Sequence, residues 1–298
     1  MAIIIDGKAI ANEIKEEVKQ EVEKLEQKYG KKPALAVILV GNNPASEVYV
    51  RNKKKNSEEV GINSWQILLD EHTTQQELLT LISQFNNDNN VNGILVQLPL
   101  PSHINENEII NAIDPVKDVD GFHPVNTGKL VIGEDCFIPC TPYGCQELIV
   151  RTMPDIKGKH IVIVGRSNIV GKPLANLMVQ KNNRANCIVT VCHTATKDIG
   201  YYTRQADILV VAVGKANMIT KDMVKKGAVV IDVGINRIND PENPGKTKLV
   251  GDVKFDEVSE VAHAITPVPG GVGPMTIAML LKNTVKAFKL QNNIAINE

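Results

Sequence analysis

Tyr49 and Lys53 stand four residues apart in the segment Asn43-Pro-Ala-Ser-Glu-Val-Tyr-Val-Arg-Asn-Lys-Lys-Lys. Asn43 and Pro44 read as the N-cap and first position of a helix, and Gly61 reads as its stop. The spacing puts a phenol and an ammonium on one helical face, one turn apart. An aromatic ring beside an amine can stack a flat ligand and move a proton. The competing reading is a solvated lysine whose stem runs past a half-buried tyrosine. On this segment alone that is the commoner outcome for a surface lysine.

A second chemical signal is Ile161-Val-Ile-Val-Gly-Arg-Ser-Asn-Ile-Val-Gly-Lys-Pro173, in which an apolar strand runs into a glycine loop and then a helix. Glycines let backbone N–H groups approach a pyrophosphate, and a helix N-terminus favours its charge. The loop is not a strict dinucleotide fingerprint, because Ser167 stands where the second glycine is expected. The following strand, Ile188 to Cys192, is succeeded by His193 and Thr194 and not by the acid that holds an NAD ribose. Arg166 supplies a guanidinium suited to a 2′-phosphate, so the expected cofactor is NADP. The alternative for Arg166 is a surface salt bridge.

The elements that must position these groups alternate. Ile10, Ile14, Val18, Val22, Leu25 and Tyr29 form one helical stripe over about 7–29. Ala34–Val40 is a continuous apolar run, as expected of a strand buried on both faces. A strand over 64–69, a helix capped by Thr73, and a strand over 93–97 follow. The stretch 114–141 is rich in Asp, Pro and Gly and reads as an inter-domain crossing. A second alternation has strands near 160–164, 187–192, 208–213, 228–232 and 264–266, and a helix over about 274–290 closes the chain. The pattern implies parallel sheets layered with helices.

Bulk properties exclude several classes. The 298 residues suffice for two domains. Lys and Arg total 33 against 34 for Asp and Glu, a balance unlike that of a phosphate-tracking nucleic-acid binder. No apolar run reaches the roughly 20 residues of a membrane span. The start, Met-Ala-Ile-Ile-Ile-Asp, reads as a first strand and not as a secretory signal, which makes the cytosol the expected compartment. Five cysteines, an odd number, argue against a disulfide framework, and Cys136, Cys140 and Cys145 do not fit paired zinc-ligand spacing. No metal site is expected.

Three further segments complete a set: Val96-Gln-Leu-Pro-Leu-Pro101, Asp118-Val-Asp-Gly-Phe122 and Thr266-Pro-Val-Pro-Gly-Gly-Val-Gly-Pro-Met-Thr276. With Tyr49–Lys53 and the Gly165 loop, they closely resemble the bifunctional methylenetetrahydrofolate dehydrogenase/cyclohydrolase family, in order and over nearly the whole chain. The stretch Lys181–Cys187 departs from it as a longer turn. The resemblance implies a two-lobe α/β fold. Residues 1–138 would form a folate-binding catalytic domain with 274–298 packing back on it, and 139–273 a Rossmann-type NADP-binding domain, with the folate in the cleft between the lobes. It also implies oxidation of 5,10-methylenetetrahydrofolate to the methenyl form and hydrolysis of that to 10-formyltetrahydrofolate, in a cytoplasmic homodimer paired through the NADP lobe.

Residue types suit the implied chemistry. Hydride transfer needs alignment of two flat systems, and Tyr49 can stack on the folate. Asp120 can accept from the donor-rich amino edge of the pterin, and the backbone at Pro269, Gly270 and Gly271 can lie close to it. Val96 and Leu98 flank Gln97 in the same expected folate set. Hydrolysis needs a base for the attacking water. Lys53 is the candidate, since burial and a cationic substrate both favour an uncharged amine. Gln97 would orient that amine without restoring its charge. The expected cofactor set is Gly165, Arg166, Ser167, Val170, Gly171, His193, Thr194, Val213, Gly214, Gly234 and Ile235. Lys54 and Lys55 read as solvated, Asp118 as structural, and His123 as a polar contact. A dehydrogenase-only member of the fold is the alternative, disfavoured by Tyr49 with Lys53. Another two-lobe dehydrogenase, acting on shikimate or an amino acid, is disfavoured by the Pro-Gly-Gly-Val-Gly-Pro segment. A silent nucleotide-binding module would bind cofactor without turnover.

Overall fold

The computed structural model describes residues 1–240, 243 and 245–296. In chain order its elements are β1 (Ile3–Ile4), α1 (Gly7–Tyr29), β2 (Ala34–Val40), α2 (Pro44–Glu59), β3 (Asn63–Leu69), α3 (Gln75–Asn87), β4 (Gly93–Val96), α4 (Glu106–Ala112), α5 (Pro124–Ile132) and α6 (Cys140–Thr152). There follow β5 (His160–Val164), α7 (Gly171–Met178), β6 (Ile188–Cys192), α8 (Ile199–Thr203), β7 (Ile208–Val211), β8 (Val229–Asp232), β9 (Asn236–Asn239), β10 (Thr247–Val250), α9 (Phe255–Val258), β11 (Ala264–Ile265) and α10 (Val272–Gln291). The chain divides into two compact units, one of Asn12–Cys140 with Ile277–Glu298, the other of Met1–Ala11 with Thr141–Thr276.

The first unit is built on a three-stranded parallel sheet of order β3-β2-β4. β2 is central, and every residue in it is buried, which is why its sequence is apolar without alternation. β3 is an edge strand and shows a half-exposed pattern. Leu78 and Ile82 of α3 and Ile109 of α4 join Ala36, Ile38 and Ile94 in the core. α3 starts one residue later than the sequence suggests. Thr74 is the cap because Glu77, three residues on, completes a capping box: the Glu77 N–H donates to Thr74 Oγ1 at 3.2 Å and the Thr74 N–H to Glu77 Oε2 at 2.7 Å. The stretch read as an irregular crossing contains α5, started by His123, whose Nδ1 accepts from the Val125 N–H at 3.1 Å. Within this unit α10 returns to Val119, Ile138 and Cys140 through Asn283.

The second unit is a six-stranded sheet of order β1-β11-β8-β7-β5-β6, parallel throughout. Residues 1–11, expected with the first domain, contribute β1 to this sheet beside β11. A run of four apolar residues was legible as a strand, but nothing local specifies its partner. The antiparallel pair β9–β10 was not expected from the sequence, because its four-residue strands Asn-Arg-Ile-Asn and Thr-Lys-Leu-Val are short and show no clear alternation. The core of the unit gathers Val162, Val164, Leu209, Val211, Val230 and Ile265.

Candidate active site

The geometry around Lys53 inverts the solvated-lysine reading. Lys53 is only 8% exposed, whereas Tyr49, one turn earlier on α2, is 40% exposed. α2 presents both because Asn43 Oδ1 caps its start, accepting from the Ser46 N–H at 3.2 Å. Lys53 Nζ donates to Gln97 Oε1 at 3.0 Å, and Gln97 Nε2 donates to the Leu98 carbonyl at 2.7 Å. Gln97 sits immediately after β4, its N–H bonded to the Ile38 carbonyl at 2.8 Å, so the end of the sheet fixes the amide that fixes the amine. Lys54 and Lys55 turn outward and pair with Glu58 and Glu59, both at 3.8 Å.

Asp120 completes this cluster. Burial holds its carboxyl above the usual carboxylate range, while the charge of Lys53 and a hydrogen bond from the Cys140 thiol pull it down. Cys140 also lies 3.5 Å from the Val119 carbonyl, and burial together with the neighbouring carboxyls pushes its thiol well up, which disfavours the thiolate. Asn283 Nδ2 donates to the carbonyls of Val119 at 2.9 Å and Ile138 at 3.0 Å, pinning both segments that flank Asp120 and Cys140. A small recess beside Asp120 is walled by Val96, Leu98, Ile109, Ile113 and Phe122.

Asp118 plays another part. Its Oδ1 accepts from the N–H groups of Gly121 at 3.1 Å and Phe122 at 3.2 Å, and its Oδ2 from the His123 N–H at 2.9 Å and Asn126 Nδ2 at 2.8 Å. Burial raises its carboxyl to about 7 against those donors. Asp118 therefore builds the turn that carries Asp120.

Pro269, Gly270 and Gly271 belong to the other unit. Gly270 has φ +108°, the Lys8 N–H donates to its carbonyl at 3.0 Å, and a Cβ on Gly271 would lie 2.6 Å from the Pro267 carbonyl. The turn is thus closed to larger residues.

In the same unit β5 delivers the glycine loop. Gly165 has φ +128°, and a Cβ there would lie 2.3 Å from the Ala212 carbonyl; on Gly171 it would lie 2.1 Å from the Gly165 carbonyl. Ser167, in place of a glycine, accepts on Oγ from the N–H groups of Val170 at 3.1 Å and Gly171 at 3.4 Å, capping α7. The Gly165 N–H bonds the Cys192 carbonyl at 2.8 Å, so the loop starts beside the end of β6, where His193 and Thr194 follow. His193 Nδ1 accepts from the Ala195 N–H at 3.2 Å. Arg166 is exposed and has no partner among the described residues. An unpaired guanidinium and no acid after β6 fit a 2′-phosphorylated dinucleotide.

Two aspartates escaped the sequence reading. Asp252 accepts from the N–H groups of Val213, Gly214 and Lys215, and Asp232 from those of Gly234, Asp252 and Val253. Burial raises Asp232 to about 6. The available signal was glycine: Gly234 and Gly251 flank the pair because a Cβ on either would collide with a carboxylate, at 2.3 and 1.8 Å. Among the described residues no three His, Cys, Asp or Glu side chains are placed to hold a metal, and no helix is long and apolar enough to cross a membrane.

A parallel sheet with a glycine loop at its carboxyl edge, joined in one chain to an α/β unit with a buried lysine–amide–carboxylate cluster, defines a dinucleotide-dependent α/β enzyme. The tetrahydrofolate dehydrogenase/cyclohydrolase catalytic domain matches residues 5–120, and the NAD(P)-binding domain of the same name matches residues 139–292. The bifunctional protein FolD of Chlorobium chlorochromatii is 59% identical over 98% of this chain and 100% of its own length. The crystal structure of the bifunctional FolD methylenetetrahydrofolate dehydrogenase/cyclohydrolase from Campylobacter jejuni superposes with a TM-score of 0.91 at 52% identity, covering 97% of this chain and 99% of that one. The Trypanosoma brucei methylenetetrahydrofolate dehydrogenase-cyclohydrolase, solved with NADP and an inhibitor, does so with 0.91 at 40% identity, covering 97% and 98%. The chain belongs to the tetrahydrofolate dehydrogenase/cyclohydrolase family.

Proposed function

We propose that this protein oxidises 5,10-methylenetetrahydrofolate with NADP and hydrolyses the resulting methenyl compound to 10-formyltetrahydrofolate. The observation that carries the bifunctional reading is the buried Lys53 amine held by Gln97 at 3.0 Å beside Asp120. A dehydrogenase alone needs no such amine.

The folate roles are assigned as follows. Tyr49 offers its exposed ring to stack on the substrate, Asp120 accepts from the pterin amino edge, and Val96 and Leu98 complete the contact on this unit. Bound NADP supplies the hydride acceptor. Gly165, Ser167, Val170 and Gly171 frame its phosphates, and Arg166 with His193 and Thr194 meets the 2′-phosphate. Val213, Gly214, Gly234 and Ile235 complete that wall. In hydrolysis the Lys53 amine takes a proton from the water that adds to the methenyl carbon; the new hydroxyl then gives up its proton as the C=O forms, and the C–N bond to one folate nitrogen breaks, the nitrogen keeping the electron pair and taking up a proton, which leaves the formyl group on the other nitrogen. Gln97 occupies one amine N–H and leaves the lone pair for the water.

The chain is assigned to the cytoplasm as a homodimer with neither nucleic-acid nor membrane partners. All five cysteines are free and buried, in keeping with a reducing compartment. Edge strand β6 leaves Ile188 and Val191 exposed at 62% and 37%, an apolar edge that a second copy would cover.

The deciding assay follows reduced cofactor and the methenyl and formyl products together, with NADP or NAD. Formyl product with NADP preferred is expected. Methenyl accumulation would favour a dehydrogenase without the Lys53 step, and absence of turnover would end the folate reading.

A further inference from the structure

The loop after β7 has an internal anchor. The N–H groups of Val213 and Gly214 donate to Oδ2 of Asp252 at 2.7 and 3.0 Å. The Lys215 N–H and Asn236 Nδ2 donate to Oδ1, both at 2.8 Å. Asp252 is fully buried, and all four neighbours of its oxygens are donors. A carboxyl group has an oxygen for each pair of donors, whereas an amide in either orientation sets its own N–H groups against two of them. Asp252 is fixed in turn, since its N–H donates to Asp232 Oδ1 at 2.9 Å and the Val253 N–H to Oδ2 at 2.9 Å.

The place of this loop gives the anchor its consequence. In the order β8-β7-β5-β6 the chain direction across the sheet reverses between β5 and β7. Ligands of such sheets sit outside the carboxyl ends of the strands at that reversal. One wall there is the Gly165 loop. The other is Ala212–Lys215, whose first residue donates its N–H to the Val164 carbonyl at 2.8 Å.

We propose that Asp252 is a positioning residue for the cofactor. By occupying three consecutive N–H groups it fixes the wall opposite the glycine loop and withholds those amides from the cofactor phosphates. The proposal rests on the reading of the Gly165 loop as the NADP site.

The test is Asp252→Asn in the full chain, with NADP affinity measured by calorimetry, and with KM for each substrate and the rate of methenyltetrahydrofolate hydrolysis measured alongside. NADP binding is expected to weaken at least tenfold, with KM for NADP rising in step, while hydrolysis, which consumes no NADP, stays within about threefold of the parent. Parent-like NADP affinity overturns the proposal. If the variant does not fold, Asn236→Ala, which removes one donor only, is measured instead. A several-fold loss of NADP affinity with intact hydrolysis supports the anchor, and unchanged affinity overturns it. Arg166→Ala is the control for the underlying reading: if it leaves NADP affinity unchanged, the cofactor site itself is misassigned, whatever Asp252→Asn does.

Discussion

Lys53 reaches Gln97 from a helix one strand away, and the 3.0 Å bond between them joins the two halves of the proposed hydrolytic site. The partner is neutral. A carboxylate there would hold the amine as an ammonium, whereas an amide orients it and lets it exchange a proton. Asp120 lies close enough to feel the Lys53 charge, and burial raises its carboxyl against that charge.

Lys53→Met separates the two reactions. A positioned general base contributes about 100- to 10,000-fold, so formyl production from methenyltetrahydrofolate should fall by about that factor. Hydride transfer, which asks only for alignment, should stay within about tenfold of the parent. Gln97→Ala should cost hydrolysis less, about tenfold, because the amine remains but is no longer oriented. Full hydrolytic activity in Lys53→Met would reduce Lys53 to a binding residue.

Asp120 should set the acid limb of the pH profile. In its proposed role it accepts from the pterin on both oxygens when ionised and loses one of those acceptors on protonation, so KM for folate should rise as pH falls. Because burial lifts that carboxyl, the rise begins nearer neutrality than for an ordinary aspartate. Lys53 favours the ionised form, so Lys53→Met should move the limb to still higher pH. Asp120→Asn should give a high KM without this limb. Steady-state dehydrogenase kinetics on the acid side of neutrality decide it, and a limb at the same pH in parent and Lys53→Met would sink the coupling.

How much of this was visible beforehand depended on whether a residue's partner was local. The helix carrying Tyr49 and Lys53 was legible from Asn43-Pro44 and Gly61, because caps are set by neighbours a few residues away. The glycine loop was legible for the same reason, although Ser167 as an α7 cap was not. Asn283 reads as one of several polar residues along α10, and only folding brings it to Val119, 164 positions earlier. Asp232 and Asp252 lie 20 positions apart, and nothing in the strand read over 228–232 pointed to the second aspartate. Their close approach was encoded in Gly234 and Gly251, but a glycine marks a crowded place without naming what crowds it.

Asp118→Asn should destabilise the first unit without a direct chemical effect. The parent carboxylate serves four N–H donors, and the amide can serve two. Leaving buried donors unpaired costs about 1–3 kcal/mol each before relaxation, so a loss of about 2–4 kcal/mol is expected in urea denaturation. A loss below about 1 kcal/mol would show that Asp118 does not hold the turn.

Asn283 gives a sharper test of how α10 supports the site. Its amide nitrogen spends both hydrogens, on the carbonyls of Val119 and Ile138, the residues that flank Asp120 and Cys140. It is 2% exposed, so water cannot replace it without rearrangement. Asn283→Ala should strip the amide donor from the Ile138 carbonyl and leave the Val119 carbonyl with only the weak Cys140 thiol, destabilising the unit by about 2 kcal/mol. It should also loosen Asp120, raising KM for folate about tenfold while kcat at saturation and KM for NADP stay near the parent values. Asn283→Asp gives the second arm, since a carboxylate offers no hydrogen to either carbonyl and should be at least as harmful as alanine. If both variants lose stability but keep the parental KM for folate, Asn283 supports the fold alone and the alignment of Asp120 does not depend on α10.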